Sequence, residues 1–338
     1  MPRTRNYKYA AFAGLLLSSP SFANVLLVNE LGMLGTSTAG AGMAATADTA
    51  VTAYSNPAGM GYFNKAAITG NLGYLNLKIK YDDDNDPAND VSDAGENMPY
   101  GSFYYTQPIN DRFVFGVSLA SQGGSALDYG NNWVGSRIGT TVDLKTVQLN
   151  PAFSYKINDH LFFGAGFSIE YMSVEEKLGT QSNDKMAKLS GDDVGYGGNV
   201  GLLYVINDKN RIGFTYRSKI KHSVDSDIDV GDQSLPANVD LDLVDQVKLS
   251  GVHGLTHRFD LLWTVGVEFW SGEPNTNITV DGLGQPYEIK RELNDVYQFS
   301  LGGRYQITDK LRFEMGGAMK QALKTVQNIL MRIFLFQM

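Results

Sequence analysis

The chain has no cysteine in its 338 residues. That excludes disulfide bonds and thiolate metal sites. An oxidising compartment is compatible with this but not required by it. After the first 23 residues there is no run of 18 or more apolar residues, so a helical membrane span is not expected. Catalytic spacings are missing too. His160, His222, His253 and His257 form no His-Glu-x-x-His pattern, and no Gly-x-Ser-x-Gly occurs. No catalytic residue, metal site or cofactor is expected, and the chain does not read as an enzyme. Positive charge is also in short supply, with 28 basic residues against 36 acidic ones, so nucleic acid is not an expected partner.

What is present begins with an export signal. Arg3, Arg5 and Lys8 precede a short apolar core, Ala10 to Leu17, and Ser21-Phe22-Ala23 has the small-x-small pattern of a cleavage point. Residues 1–23 are therefore expected to be a signal peptide. Its removal takes three basic residues and no acidic one, moving the net charge from −8 to −11.

The rest alternates. In Arg258 to Trp270, the residues Phe259, Leu261, Trp263, Val265, Val267 and Phe269 share one parity, with Asp260, Thr264, Gly266 and Glu268 on the other. His160 to Tyr171, Phe113 to Ala120 and Tyr297 to Tyr305 repeat the pattern. A strand sends alternate side chains to opposite faces, so each has one greasy face and one polar or small face. A soluble sandwich and a membrane barrel both produce this. Long strands, aromatic residues near strand ends and a polar face rich in Gly, Ser and Thr favour the barrel. Turn signals recur at Asn110-Asp111, Asn158-Asp159, Asn207-Asp208, Thr256-His257 and Thr308-Asp309, spaced 48 to 52 residues apart. Longer polar stretches separate them: 82–97, 123–141, 174–192, 225–238 and 271–291. The expected fold is all-β, a transmembrane antiparallel barrel over 65–319. Eleven strands are readable: 66–81, 98–108, 112–122, 143–157, 160–174, 193–206, 210–223, 239–255, 258–270, 288–306 and 311–319.

Residues 29–63 do not alternate, and Gly and Ala dominate them. Such a segment has no lipid-facing stripe and suits compact packing inside a lumen. Here the sequence resembles the FadL family of outer-membrane transporters of long-chain fatty acids and other hydrophobic compounds. The matching residues are Thr38-Ala39-Gly40-Ala41-Gly42, Ala44-Ala45, Asp48 and Asn56-Pro57-Ala58-Gly59-Met60. Further along, Trp133 to Arg137, Asn150 to Ile157 with Phe163 to Gly166, and Arg211 to Ser218 are similar to later family elements. The resemblance implies a fourteen-stranded barrel with an N-terminal hatch over 24–64 carrying Asn56, Pro57 and Ala58. It implies capture of a hydrophobic molecule in an outer groove and lateral exit at a kinked third strand. Fatty acids or aromatic hydrocarbons are the implied cargo. Implied partners are outer-membrane lipid, lipopolysaccharide and the barrel-assembly machinery of a Gram-negative cell.

Several further expectations rest on the residues. Gly123 and Gly124 end the 112–122 strand, where glycines mark either a break in the wall or the start of a loop. By parity Lys145, Glu170, Arg217, Lys219, Asp260, Glu268, Arg304, Arg312 and Glu314 face the lumen. Most are expected in internal ion pairs. Arg137, Arg217 and Lys219 are the candidates for ligand contact. The acidic stretch 82–97 lacks the glycine and glutamate spacing of a calcium loop and reads as a solvated outer loop, with divalent-ion bridging to lipopolysaccharide the alternative. A non-specific diffusion porin is the rival function, and a truncated inactive family member the other. After Ala318 the pattern fails, so 320–338 is expected to be an atypical, frameshifted or truncated tail, with a real short variant as the alternative.

Overall fold

The computed structural model describes residues 35–76, 78–83, 86–87, 90–131, 133, 136, 139–179, 186–230, 233–272, 275–280, 287–290 and 293–322. The expected signal peptide, Arg137 and residues 323–338 lie outside the described residues. Sixteen strands form one antiparallel sheet. They are β1 (Ala67–Asn76), β2 (Asn97–Pro108), β3 (Phe113–Ala120), β4 (Gly124–Asp128), β5 (Thr141–Lys156), β6 (Leu161–Gly179), β7 (Met186–Asn207), β8 (Asn210–Arg217), β9 (Ser223–Val230), β10 (Gln233–Asp240), β11 (Gln246–Gly254), β12 (Phe259–Glu268), β13 (Asn275–Val280), β14 (Tyr287–Lys290), β15 (Val296–Thr308) and β16 (Leu311–Ala322). Two short helices precede them, α1 (Thr52–Ser55) and α2 (Gly59–Phe63).

Eleven strands make the wall, in the order β1-β2-β3-β5-β6-β7-β8-β11-β12-β15-β16. Among the described residues β1 and β16 do not pair with each other. The two-residue period holds round this path. Phe115, Leu119, Val147, Phe153, Phe167 and Val265 are exposed on the outer face, while Ser118, Gln148, Asn150, Ser168, Glu170 and Thr264 are buried inside. Lys145 breaks the parity expectation. It lies on the exposed parity of β5 and pairs with Asp143 at 2.6 Å, because Leu144 and Thr146 are the inward residues.

The fifty-residue repeat has a single physical cause. At each turn one side chain accepts backbone N–H groups just beyond it, the local bonding that stabilises such turns. Asn110 Oδ1 takes Arg112 and Phe113 N–H at 2.9 and 3.0 Å, and Asn158 Oδ1 takes His160 and Leu161 N–H at 2.9 Å each. Asn207 serves Lys209, Thr256 serves Arg258, and Thr308 serves Lys310 and Leu311. All five turns therefore close one end of the wall.

The other end differs from the sequence expectation. The stretches 123–141, 225–238 and 271–291 hold all or most of strands β4, β9, β10, β13 and β14, and 174–192 holds the ends of β6 and β7. In β9, Ser-Val-Asp-Ser-Asp-Ile-Asp-Val alternates Asp outward with Val224, Ser226 and Ile228 inward. Its polarity resembles a loop but its period is that of a strand. β7 serves both layers. Asn199–Asn207 pairs with β8, and 187–192 pairs with β9, which continues to β10, β13 and β14. The strand expected over 288–306 is two, β14 and β15, and β16 runs to Ala322, into the expected tail.

Replacing Asn158 by Ala should cost about 1 kcal/mol, the net worth of a typical hydrogen bond, and leave the wall intact. Urea unfolding in lipid vesicles reads this, with Asp159→Ala as a control expected to move the midpoint less.

Candidate functional site

The inner face of the wall carries the N-terminal segment, residues 35–64. Strands reach it from many directions. Tyr54 packs on Tyr104 of β2 with ring centres 6.3 Å apart. A Cβ at Gly116, Gly164, Gly201, Gly213 or Gly316, on β3, β6, β7, β8 and β16, would collide with Met60, Ala58, Asn56, Ala44 and Thr38 in turn. One short segment touching strands from β2 round to β16 means that the sheet is curled about it. The missing side chains let the two backbones approach closely.

Hydrogen bonds then fix the segment. Gly42 N–H donates to Thr264 Oγ1 at 2.9 Å, and that hydroxyl donates to Gly40 C=O at 2.9 Å. Gly42 has φ of 79°, a left-handed conformation that favours glycine. Ala44 N–H donates to Ser250 Oγ at 3.1 Å. Ser154 Oγ donates to Ala58 C=O at 3.0 Å and accepts Gly61 N–H at 3.0 Å. Near the turn end, Asp48 takes Arg304 at 2.9 Å and Arg312 at 3.1 Å, while Glu314 takes Arg304 at 3.0 Å and Arg312 at 2.7 Å. Two carboxylates and two guanidiniums thereby tie the segment to β15 and β16.

Asn56 is fully buried and joins three pieces of chain. Its Nδ2 donates to Ala44 C=O at 2.6 Å and to Leu202 C=O of β7 at 3.1 Å, and its Oδ1 accepts Ala58 N–H at 3.1 Å. Pro57 follows and α2 starts two residues later. The Asn-Pro-Ala triplet is thus the turn that meets the wall.

Above the segment lies a buried polar layer. Arg217, the last residue of β8, donates to Gln148 Oε1 at 2.7 Å and to Tyr54 C=O at 2.9 Å, with its guanidinium 4.3 Å from the Tyr54 ring centre. Burial pushes the Tyr54 phenol above its ordinary range, so it stays a neutral hydroxyl. Lys219 lies beyond β8, where its N–H donates to Asp245 Oδ1 at 3.1 Å. Arg217 and Lys219 are two residues apart, but the contacts differ: Arg217 meets the segment and Lys219 the stretch leading to β11.

Beyond this layer the interior turns apolar. Leu144, Met172, Val174, Leu189, Val224, Ile228, Val239, Trp270, Val280 and Val296 form one buried cluster. Leu189 faces Ile228 directly in the β7–β9 register.

Gly123 lies between β3 and β4, and Gly124 opens β4. β3 pairs with 148–155 of β5 and β4 with 141–145, so they are two pieces of one interrupted strand. Alternation stops there, with 122–127 buried without a break. Gln122 Oε1 accepts Gln246 Nε2 of β11 at 3.4 Å, and β11 is five strands further along the path. The break therefore points inward. β2 pairs with β3 up to Phe103↔Leu119, and contact resumes at the Gly95↔Leu127 bridge. Between these, the β2–β4 ladder is absent among the described residues. Gln148, Ser154 and Gly213 carry no motif in the sequence that marks them as contacts of the N-terminal segment or of Arg217. His222 falls within the strand expected over 210–223, but β8 ends at Arg217 and β9 begins at Ser223, so it sits outside any strand.

Replacing Gly213 by Val should lift Ala44 and Ala45 from the wall at about 1–3 kcal/mol, the usual cost of overpacking. Gly317→Val, where nothing lies within 4 Å of the added carbon, should be nearly neutral. Heat-modifiability on gels and protease sensitivity of residues 35–64 compare the two.

Comparison with known proteins agrees with this geometry. The family model described as outer membrane protein transport protein (OMPP1/FadL/TodX) matches residues 14–328. The long-chain fatty acid transport protein of Salmonella typhi is 25% identical, the match covering 94% of this chain and 82% of that protein. Outer membrane protein P1 of Haemophilus influenzae is 25% identical, covering 94% and 81%. Among solved structures, a Pseudomonas aeruginosa FadL homologue superimposes with a TM-score of 0.76 at 21% identity, over 88% of this chain and 81% of that one. The Ralstonia pickettii toluene transporter TbuX gives 0.65 at 17% identity, over 86% of each.

Proposed function

Because the chain belongs to the OMPP1/FadL/TodX family of outer-membrane transport proteins, we propose that it passes hydrophobic small molecules across the outer membrane without an energy source. Long-chain fatty acids are the first candidate cargo, which the name of the Salmonella typhi relative supports. Monoaromatic hydrocarbons are the second.

The observation that carries this reading is the apolar cluster of β5, β6, β7, β9, β10 and β13 inside the far end of the molecule. A diffusion porin needs a polar, wet lumen. Each methylene moved from water into contact with these side chains would gain about 0.8 kcal/mol, so capture is spontaneous. Residues 35–64 act as the hatch that blocks the straight path, with Asn56, Pro57 and Ala58 as its hinge on the wall. The cargo then leaves sideways, through the gap between β2 and β4 at Gly123 and Gly124. Lateral exit releases an apolar molecule into lipid and spares it the aqueous side. Arg217 is the candidate for meeting a polar head group, since it lies between the apolar cluster and the hatch. Arg137, which lies outside the described residues, and Lys219 are the other candidates.

Growth of a transporter-null strain on oleate or toluene, restored by this gene, tests the cargo. Leu189→Asn with Ile228→Asn should lower uptake by at least about tenfold, since one such buried apolar side chain is worth roughly 1.5–3 kcal/mol and about 1.4 kcal/mol is already a factor of ten. In planar bilayers the wild type should show little steady current. A large, steady conductance with no uptake would favour the porin reading.

A further inference from the structure

His222 belongs to no strand and lies in the 218–222 stretch between β8 and β9, yet its side chain is fully buried. Both ring nitrogens meet a carboxylate. Nδ1 is 3.0 Å from Asp193 Oδ2 of β7, and Nε2 is 3.3 Å from Glu170 Oε1 of β6. A carboxylate accepts hydrogen bonds and does not donate them, so each contact needs an N–H from the ring. A neutral imidazole has only one. The geometry is complete only when the ring carries both protons.

The connection continues inward. Glu170 Oε2 accepts Gln148 Nε2 at 3.0 Å, Gln148 Oε1 accepts Arg217 at 2.7 Å, and Arg217 donates to Tyr54 C=O at 2.9 Å. The path therefore runs from Asp193 to the N-terminal segment with no gap. Imidazolium and guanidinium together balance the two carboxylates. The other charged groups nearby are Asp242, whose Oδ1 accepts the backbone N–H of His222 at 3.3 Å, and Lys219 and Lys221 on its own stretch. Gly195 of β7 closes the remaining side, where an added Cβ would lie 2.7 Å from the ring.

We propose that His222, Glu170 and Gln148 are positioning residues for the hatch: the doubly protonated ring completes a hydrogen-bond chain that holds Tyr54 through Arg217, and loss of one ring proton loosens that hold. The step is a single proton leaving to solvent. Glu170 then faces a lone pair, its carboxylate shifts, and Gln148 no longer orients Arg217. The inference uses the hatch reading only in naming the segment. Attachment of the segment is measured separately from transport.

The test is hydrogen exchange of backbone amides in the full chain in phospholipid vesicles, at about pH 5.5 and about pH 8.5, which bracket the usual range of histidine titration. Rates are corrected for intrinsic exchange. Peptides covering 51–61 should exchange about tenfold faster at the higher pH, the worth of one charge-assisted hydrogen bond. His222→Gln should exchange fast at both. Glu170→Gln should remain protected at both, because its amide can donate to a neutral ring. Equal wild-type rates at the two pH values overturn the proposal, as does a pH step that survives in His222→Gln. If His222→Gln does not fold, a pH step retained in Glu170→Gln overturns it. Flat exchange with normal uptake and low conductance would refute the relay and leave the hatch reading standing.

Discussion

A strand in lipid must pass every backbone N–H and C=O to a neighbouring strand, because hydrocarbon offers no other partner. The rest of this structure depends on that constraint. It fixes the two-residue period, which sends Phe115, Phe153, Phe167 and Val265 outward and leaves Ser118, Asn150, Ser168 and Thr264 inside. It also frees the inner side chains from the solubility problem. The wall can then place glycine or serine wherever another backbone must come close.

The N-terminal segment uses those places. Its small residues meet the small residues of the wall, and its C=O and N–H groups are satisfied by Thr264, Ser250, Ser154, Asn56, Arg211 and Arg217. The interior is consequently layered. Ion pairs at Asp48 and Glu314 lie near the turn end, the glycine seat comes next, then the amide and carboxylate layer, and last the apolar cluster. The interruption at 121–123 lies beside the amide layer, where Gln122 reaches across to Gln246.

Much of the wall was legible in the sequence, because the lipid-facing period and the Asn and Thr turn residues are local signals. Eleven expected strands correspond to the eleven-strand path, with β14 joined to β15 in that reading. The outer hairpins were not legible. In β9, Asp225, Asp227 and Asp229 gave the composition of a loop, and only pairing with β7 and β10 makes it a strand. Parity misplaced Lys145, which shares the outward side of Val147 while Leu144 and Thr146 are the buried residues of β5. Gly123 and Gly124 were seen, but whether they broke the wall or opened a loop depended on β5 pairing with both β3 and β4. The relay could not be found at all from sequence. Gln148 and Arg217 lie 69 residues apart and Glu170 and His222 lie 52 apart, and no spacing rule connects them.

The central claim is that residues 35–64 are seated on the inner wall. The absence of native cysteine allows a direct measurement. A Cβ at Gly61 would lie 2.8 Å from Ser154 Oγ, a separation that suits a disulfide between cysteines at the two positions. Gly61→Cys with Ser154→Cys should oxidise nearly completely in native membranes. Gly61→Cys with Ser300→Cys, whose second position is on the inner face of β15, should not. Absence of the first cross-link, or equal yields from both pairs, would contradict the account.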